Sequence, residues 1–281
     1  MKIIRTKSEL RDLTETWRRA GETIGVVPTM GALHAGHLSL VKAACEATDR
    51  VIVTLFVNPR QFNNPEDLAK YPRTEHSDAA KLKPFGADIL YVPDGEQMYP
   101  EGFSTTITVT EVSEGLCGST RPGHFDGVAT VVAKLFLQTD ADKAFFGEKD
   151  YQQLQVVHRL AKDLDLKTQI IGCPTVREND GLAMSSRNLR LGKSARLTAP
   201  IIRQVLEQCA KAIRAGLSVN EALKDARAQL LNAGLQEIDY LELRSDPNLE
   251  LLTTNKTPSR LFVAAWLDGV RLIDNQPVDA A

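Results

Sequence analysis

The amino-acid sequence predicts an α/β protein, in which a doubly wound parallel (Rossmann-like) sheet is followed by a second, smaller α+β domain. Three observations lead to this fold class. Short apolar stretches alternate with helix-like stretches up to residue 175, as in βαβ units. Residues 50–57 are almost continuously apolar, as central parallel strands are. Beyond residue 175, two helix-like stretches precede three strand-like ones, so we predict domains at 1–175 and 176–281.

The first domain is expected to alternate strands and helices. Strands are predicted where apolar residues run together, at 24–28, 50–57, 87–92, 143–146 and 167–173. Helices are predicted where apolar residues recur at helical spacing, at 37–47, 77–85, 128–137 and 151–163. The Thr-rich segment 105–110 is expected to form an extended edge. This alternation of strands and helices implies right-handed crossovers and a parallel sheet, in which ligands bind at the carboxyl ends of the strands.

The second domain is expected to begin with a long amphipathic helix over 194–215. Ser218-x-x-Glu221 is a capping box that opens the next helix, and Gly234 would end it. A hairpin turn is predicted at Asp268-Gly269. Three strands complete this domain, at 237–244, 260–267 and 270–273.

Composition narrows the class of protein. The chain has 281 residues, 43% of them apolar, which is enough for a substantial core. Its formal net charge of −2, with scattered basic residues, argues against nucleic-acid binding. It has no run of 18 apolar residues and no signal-like apolar segment at its start, so we expect no membrane association. The four cysteines lack the spacing of a metal site, and we expect a reduced, cytoplasmic protein.

The stretch 28–37, PTMGALHAGH, lies where the first predicted strand ends and a helix begins. Residues three positions apart on a helix point the same way, so His34 and His37 are expected to project together. They would stand beside the free N–H groups and the positive dipole end of that helix, which favour phosphate. Gly36 would let a nucleotide lie against bare backbone.

Two alternatives to phosphate binding exist at this stretch, namely a metal site and a structural helix cap. Helical metal pairs are usually spaced i, i+4 and accompanied by a further acidic ligand, which this stretch lacks. A histidine near a helix start often only caps the helix. The flanking Thr29, Gly31 and Gly36 favour phosphate.

Two further clusters follow predicted strands. Asn58 and Gln61 carry amides that can hold hydroxyls and a carboxylate, although an ordinary Asn-Pro turn is the alternative. Lys149 lies at a helix start, where it can neutralise phosphate, and Asp150 can cap that helix or accept a ribose hydroxyl. Gln153 lies one helical turn beyond Asp150 on the same face. A capped surface helix is the alternative for this second cluster.

Two glycine-bearing loops complete the candidate site. The loop 180–188 offers Ser185, Ser186 and the guanidinium of Arg187, which suit a polyphosphate, or it is a flexible interdomain connection. The run 119–127 is interpreted as a glycine-hinged lid or as a structural turn.

Taken together, the chain resembles the HxGH superfamily of nucleotidyl-transferring α/β proteins, which includes class I aminoacyl-tRNA synthetases. Residues 184–187, MSSR, resemble the KMSKS motif of that superfamily. Within it, seven motifs in order resemble the pantothenate synthetase family, and they span nearly the whole chain. In chain order they are PTMGALHAGH, FVNPRQF, YPRT at 71–74, RPGHF, FGEKDYQQ, DGLAMSSRN and RLIDN.

This resemblance implies an AMP-forming ligase that condenses (R)-pantoate with β-alanine to pantothenate, a coenzyme A precursor. ATP would adenylate pantoate and release pyrophosphate, and β-alanine would then displace AMP from the pantoyl-adenylate. Mg²⁺ held mainly by ATP phosphates, a homodimer and no nucleic-acid or membrane partner are also implied.

The resemblance also implies roles for individual residues. His37, His34 and Lys149 would be catalytic, and Gln61, Gln153 and Asn58 would bind pantoate and β-alanine. The remaining residues of the implied ATP site are Met30, Gly31, Gly36, Gly147, Glu148, Asp150, Val176, Met184, Ser185, Ser186 and Arg187. Many relatives carry an apolar residue, often Met, in place of Arg60, and we expect any effect of Arg60 on affinity at the pocket rim rather than on the reaction.

Three other functions fit the sequence less well. A different HxGH nucleotidyltransferase would retain the nucleotide in its product, and the pair Gln61 and Gln153 disfavours it. A nucleotide sensor would bind ATP without turnover, which the complete set of His34, His37 and Lys149 disfavours. A tRNA-charging enzyme is disfavoured by the length of the chain and the lack of a basic domain.

Overall fold

The computed structural model describes residues 1–280. Its larger sheet contains six parallel strands, in the spatial order β1-β4-β3-β2-β5-β6. These strands are β1 (Lys2–Ile4), β2 (Ile24–Thr29), β3 (Arg50–Leu55), β4 (Ile89–Tyr91), β5 (Lys143–Gly147) and β6 (Gln169–Cys173). The predicted doubly wound α/β fold is therefore confirmed. Strand β1, which pairs with β4 at the edge of the sheet, was not predicted from the sequence.

Helices connect these strands. They are α1 (Lys7–Arg19), α2 (Ala35–Ala47), α3 (Pro65–Ala69), α4 (Glu75–Leu82), α5 (Gly95–Met98), α6 (Leu116–Thr120), α7 (His124–Thr139) and α8 (Tyr151–Asp163). Four short 3₁₀ turns lie at Pro59–Gln61, Lys83–Phe85, Glu148–Asp150 and Ser186–Arg190. No helix within residues 1–280 combines the length and apolar character needed to cross a membrane.

Strand β2 marks the topological switch point of the sheet. It pairs with β3 on one side and with β5 on the other, so the chain first adds β3 and β4 on one side of β2 and then β5 and β6 on the other. In open α/β sheets, ligands bind in the crevice that forms at such a switch point, beyond the carboxyl ends of the strands. The loops that follow β2 and β5 are the ones that carry the HxGH stretch and Lys149.

The remainder of the chain forms a smaller antiparallel sheet with three helices. Its elements are α9 (Lys193–Thr198), α10 (Ile201–Arg214), α11 (Val219–Asn232), β7 (Glu237–Ser245), β8 (Ser259–Leu267) and β9 (Val270–Val278). One face of this sheet packs on α10 and α11, with Leu261 and Val263 fully buried between them. The other face joins the core of the first sheet through Tyr240 and Phe262. Because the two sheets share that cluster, the division at residues 175 and 176 stays a prediction.

Several local predictions for the second part are confirmed. The Glu221 N–H donates to the Ser218 hydroxyl at 3.3 Å at the start of α11, and Gly234 beyond its end has φ +101°. Asp268 and Gly269 both have positive φ, at 53° and 67°, and join β8 to β9 in a two-residue turn.

Three element predictions were wrong. The stretch 105–110 is not a strand, because the Ile107 N–H donates to the Thr130 hydroxyl of α7 at 3.0 Å instead of to a neighbouring strand. The predicted helix 194–215 is two helices, because Pro200 lies between them and has no N–H to continue the first. Strand β9 runs to Val278 rather than to 273, and its polar end pairs with β8 as far as Ser259.

Candidate active site

The loop between β2 and α2 is held in a sharp turn by a buried carboxylate. Gly31 and Ala32 both have positive φ, at 86° and 51°. The N–H groups of Ala32 and Leu33 each donate to Asp78, at 2.9 Å, and Asp78 is completely buried. The Lys81 ammonium donates to the Leu33 carbonyl at 2.7 Å. Asp78 and Lys81 therefore fix the direction in which α2 begins.

His34 and His37 cap the start of α2 through one nitrogen each. The His34 Nδ1 accepts from the Gly36 N–H at 3.2 Å, and the His37 Nδ1 accepts from the His34 N–H at 3.4 Å. An imidazole whose Nδ1 accepts carries its proton on Nε2 when neutral. The ring centroids lie 4.1 Å apart. The helix cap and the phosphate site are alternatives in the sequence, but in the structure they are compatible. Capping uses only the Nδ1 atoms and leaves both Nε2–H groups free to donate.

Both imidazoles are neutral at physiological pH. Burial, with the nearby Lys149 charge, lowers the pKa of His34 to about 4. Burial, with His34 beside it, lowers the pKa of His37 to about 3. Each ring therefore offers one N–H as a donor without a fixed positive charge.

The turn after β5 places a cation and an anion side by side. The Lys149 ammonium lies 3.8 Å from the Asp150 carboxylate. Desolvation in the cavity raises the pKa of Asp150, whose side chain is 50% exposed, but the charges of Lys149 and Arg187 outweigh it and hold that pKa below its usual value. Asp150 precedes α8 without accepting a hydrogen bond from the N–H groups of its first turn, so its carboxylate does not cap the helix.

The loop after β6 folds back on itself as a small antiparallel turn. The Met184 N–H donates to the Val176 carbonyl at 3.0 Å. The Ser185 hydroxyl accepts from the Arg187 N–H at 3.2 Å and caps the following 3₁₀ turn. The Arg187 guanidinium lies 3.5 Å from Asp67 in the first turn of α3. The KMSKS-like residues are therefore held in a defined turn.

These three segments converge on one cavity of about 230 Å³ at the switch point. All the sequence-predicted site residues line it except Gly31 and Glu148. Gly31 does not line the cavity but packs close to Asp78, since a β-carbon on Gly31 would stand 3.2 Å from that side chain. A larger cavity of about 680 Å³ between the two sheets adjoins it and shares the side chains of Lys149, Asp150 and Arg187.

The family model described as pantoate-beta-alanine ligase matches residues 2–277. The chain belongs to this ligase family. Curated relatives named pantothenate synthetase include that of Chelativorans sp. strain BNC1, 64% identical over 98% of this chain and 97% of its own. The one from Ruegeria sp. strain TM1040 is 59% identical over 97% of this chain and 98% of its own.

Solved structures of the ligase family match the fold as well. Pantothenate synthetase from Thermus thermophilus superposes with a TM-score of 0.93 at 42% identity and covers 99% of this chain and 100% of its own. The pantoate-beta-alanine ligase from Francisella tularensis, complexed with beta-gamma ATP and beta-alanine, has a TM-score of 0.83 at 36% identity. It covers 99% of this chain and 97% of its own.

In this ligase-family chain, Asn58 lies beneath Gln61 and orients it. The Asn58 amide nitrogen donates to the Gln61 Oε1 and to the Gly127 carbonyl, both at 3.0 Å. The Asn58 Oδ1 accepts from the Tyr99 hydroxyl at 2.8 Å. A β-carbon at Gly127 would lie 2.4 Å from the Arg60 carbonyl, so only glycine permits this approach of α7. The nitrogen and the oxygen of the Asn58 side chain are therefore both used in contacts within the protein, and its predicted contact with substrate stays a prediction.

The run 119–127 is a structural turn rather than a lid. His124 is only 6% exposed, and its Nδ1 lies 2.9 Å from the Gln61 carbonyl. Arg121 contacts the same carbonyl at 3.2 Å and the His124 Nε2 at 3.0 Å. Burial lowers the pKa of His124 to about 3, so the ring is neutral and donates from Nδ1 while Nε2 accepts from Arg121. This run thus supports the backbone of Gln61.

Sequence reasoning did not identify Asp78 or Asn275 as residues that support the site. Asn275 lies on β9 and contacts the carbonyls of Glu148 and Lys149, each at 2.9 Å. The motif RLIDN contains Asn275, but nothing in its local pattern indicates those partners. Asp78 has no sequence signal, because the N–H groups that it accepts from, on Ala32 and Leu33, lie more than 40 positions away.

Proposed function

We propose that this chain catalyses the ATP-dependent condensation of (R)-pantoate with β-alanine to pantothenate, releasing AMP and pyrophosphate. Membership of the ligase family supports it, as does a solved relative complexed with beta-gamma ATP and beta-alanine. The observation that carries it is the convergence of two Nε2–H donors, Lys149 and the turn Met184 to Arg187 on one cavity.

In the first step, an oxygen of the pantoate carboxylate attacks the α-phosphorus of ATP. The bond from that phosphorus to the bridging oxygen breaks, and pyrophosphate leaves with the electron pair. A carboxylate is a poor acyl donor, and the attached AMP becomes its leaving group. The protein supplies no covalent nucleophile and must align the reactants and stabilise charge on phosphate oxygens.

We assign that stabilisation to His34, His37 and Lys149. The Nε2–H groups of the imidazoles are oriented before substrate binds, because their Nδ1 atoms are fixed by the start of α2. Preorganised donors need no reorientation as charge shifts towards the leaving pyrophosphate. Lys149 adds a full positive charge, while Ser185, Ser186 and Arg187 bind the phosphates from the opposite loop.

In the second step, the free amine of β-alanine attacks the carbonyl carbon of pantoyl-adenylate. The bond to the AMP oxygen breaks, AMP leaves and the nitrogen loses a proton to give the amide. Gln61 and Gln153 both line the cavity, and we assign them to pantoate. Asn58, His124 and Arg121 support Gln61 from behind.

We include Mg²⁺ in this proposal, held mainly by the phosphates of ATP. Mg²⁺ prefers oxygen ligands and keeps several waters, so an ion that arrives with its substrate needs few protein ligands. Residues 1–280 contain no group of three or more His, Cys, Asp or Glu side chains suited to a metal. The Asp150 carboxylate lines the cavity and fits a shared ion, which would neutralise phosphate charge.

We also propose a homodimer, which rests on the family resemblance alone. Sedimentation equilibrium would measure the mass directly. A species of twice 30.9 kDa at micromolar concentration is expected, and a monomer throughout that range would contradict it.

The decisive experiment measures pyrophosphate release from ATP and Mg²⁺. Pantoate alone should give a burst equal to the enzyme concentration, and added β-alanine should give sustained turnover to pantothenate and AMP. Failure of pantoate to release pyrophosphate would overturn the substrate assignment. A product that retains the nucleotide would identify a nucleotidyltransferase instead.

A further inference from the structure

Asn275 on β9 reaches across from the smaller sheet to the turn that carries Lys149. Its amide nitrogen donates to the carbonyls of Glu148 and Lys149, each at 2.9 Å. Asn275 is only 4% exposed and lines the cavity between the two sheets. These carbonyls belong to the 3₁₀ turn Glu148–Asp150, so the contact fixes the backbone from which the Lys149 side chain leaves.

Asn275 is itself held on its acceptor side. The Arg260 Nη1 donates to the Asn275 Oδ1 at 2.7 Å, which assigns the amide nitrogen to the two carbonyls. The Arg260 guanidinium stacks 3.7 Å from the centre of the Tyr151 ring, at the first residue of α8. The Tyr151 hydroxyl donates to Asp246 at 2.5 Å. The smaller sheet therefore contacts the junction of β5 and α8 at Glu148, Lys149 and Tyr151.

Asp274, the residue before Asn275, binds the loop after β6, which also carries Ser185, Ser186 and Arg187. The Asp274 carboxylate accepts from Arg177 at 2.7 and 2.9 Å, and Arg177 also donates to the Gly181 carbonyl at 3.1 Å. The Asn275 N–H donates to the same carboxylate at 2.8 Å. The position of Asn275 is thus fixed by its own chain as well as by Arg260.

We propose that Asn275 is a positioning residue for Lys149, through which the smaller sheet sets the geometry of the adenylation site. This inference rests on the role given above to Lys149. A displacement of about 1 Å in a catalytic group can reduce a rate about 100-fold. Loss of two hydrogen bonds to the Lys149 turn is expected to permit a displacement of that kind.

The test measures the rate and the amplitude of the pyrophosphate burst in Asn275→Ala and Asn275→Asp. ATP, Mg²⁺ and pantoate are supplied without β-alanine. The aspartate keeps the shape and the Arg260 contact but cannot donate to the two carbonyls. Both variants should slow the burst by about 10-fold to 100-fold while its amplitude still equals the enzyme concentration. A role in folding alone would lower the amplitude and leave the rate of the remaining active enzyme unchanged.

A double-mutant cycle with Lys149→Ala shows whether Asn275 acts through Lys149. The slow burst of Lys149→Ala would be followed over hours. The double variant Lys149→Ala/Asn275→Ala should be slower than Lys149→Ala by less than about 2-fold, because the effects of coupled residues are not additive. Gln276→Ala is the matched control, since that side chain contacts Arg203 of α10 and should leave the burst rate unchanged.

Three outcomes would overturn the inference: a normal burst rate in both Asn275 variants, a loss of amplitude alone, or the same slowing with and without Lys149. The unmodified enzyme separates this result from the proposed function. If it gives no pantoate-dependent burst, the proposed function fails. If it gives a burst that is insensitive to Asn275, only the positioning role fails.

Discussion

At the scale of single residues, the two histidines of α2 show how one side chain can serve structure and chemistry together. Each uses Nδ1 for the helix start and keeps Nε2–H for the cavity. Burial lowers the pKa of both rings well below their ordinary value, which keeps them neutral donors. The positive charge at the site is therefore supplied by Lys149 and Arg187 rather than by imidazolium.

Removing one preorganised donor should slow adenylation strongly. His37→Ala and Lys149→Ala are each expected to reduce the rate of pantoate-dependent pyrophosphate release by about 10²–10³, roughly 3–4 kcal/mol. His158→Ala and Lys162→Ala, on the exposed face of α8, are the matched controls and should leave the rate unchanged. A loss of tenfold or less in both site variants would contradict these roles.

Burial of His124 makes stability depend on pH. Its pKa is about 3 in the folded protein against an ordinary 6.5, so the unfolded chain binds a proton that the folded one does not. The stabilising contribution is present above pH 6.5 and is lost as pH falls towards 3. The unfolding free energy of the unmodified protein is expected to fall as the pH is lowered from about 6 to 4. In His124→Asn this fall should be smaller by up to about 1.4 kcal/mol per pH unit.

Urea unfolding at a series of pH values would measure this slope. The exposed His76 provides the control, because His76→Asn should retain the slope of the unmodified protein. Equal slopes for His124→Asn and the unmodified protein would show that His124 titrates normally in the folded state.

At the scale of elements, Arg60 anchors a neighbouring segment instead of lining the site. Its guanidinium lies 5.3 Å from the Tyr99 ring centre and 5.2 Å from that of Phe103. It also donates to the Thr106 hydroxyl at 2.9 Å and to the Thr105 carbonyl at 3.2 Å. It lines neither cavity, so the expected effect at the pocket rim is replaced by a structural one.

Arg60→Met should therefore change stability more than substrate binding. We expect the unfolding free energy to fall by about 1 kcal/mol, because a partly exposed cation–π contact is lost. The KM for pantoate should change by less than about 2-fold. Steady-state kinetics and urea unfolding would measure both, and a large rise in KM with unchanged stability would show that Arg60 contacts the substrate site.

At the scale of the whole molecule, a buried ion pair links the smaller sheet to the loop of Arg187. Arg177 and Asp274 are 2.7 Å apart, with side chains 19% and 3% exposed. Removing one partner of a buried pair leaves an uncompensated charge, so Asp274→Asn should lower the unfolding free energy by about 3 kcal/mol. Glu15→Gln, in the exposed pair with Arg19, should cost less than about 0.5 kcal/mol. Similar urea midpoints for both variants would contradict this view of the junction.

The loop 180–188 and the smaller domain together are expected to close over the acyl-adenylate and exclude water. ATP with pantoate should slow proteolytic cleavage within that loop several-fold, whereas ATP with a carboxylate that does not react should protect it less. Unchanged cleavage with both ligands would count against closure.

The position of the site could be predicted from the sequence because its cause is local. The run PTMGALHAGH follows an apolar strand and opens a helix, and the ends of parallel strands meet at one edge of a sheet. The capping box at Ser218 and the turn at Asp268-Gly269 were predicted for the same reason. The capping box and the turn each depend on residues at most four positions apart.

What only the tertiary structure decided is which distant side chains hold that site. Burial by distant parts of the chain keeps His34 and His37 neutral. The hydrogen bonds from Ala32 to Asp78 and from Asn275 to the Lys149 turn likewise join residues far apart in sequence. The stretch 105–110 was mispredicted because its hydrogen-bond partner lies on α7. Local pattern determines strands, caps and turns, whereas burial and long-range hydrogen bonds exist only once the chain has packed.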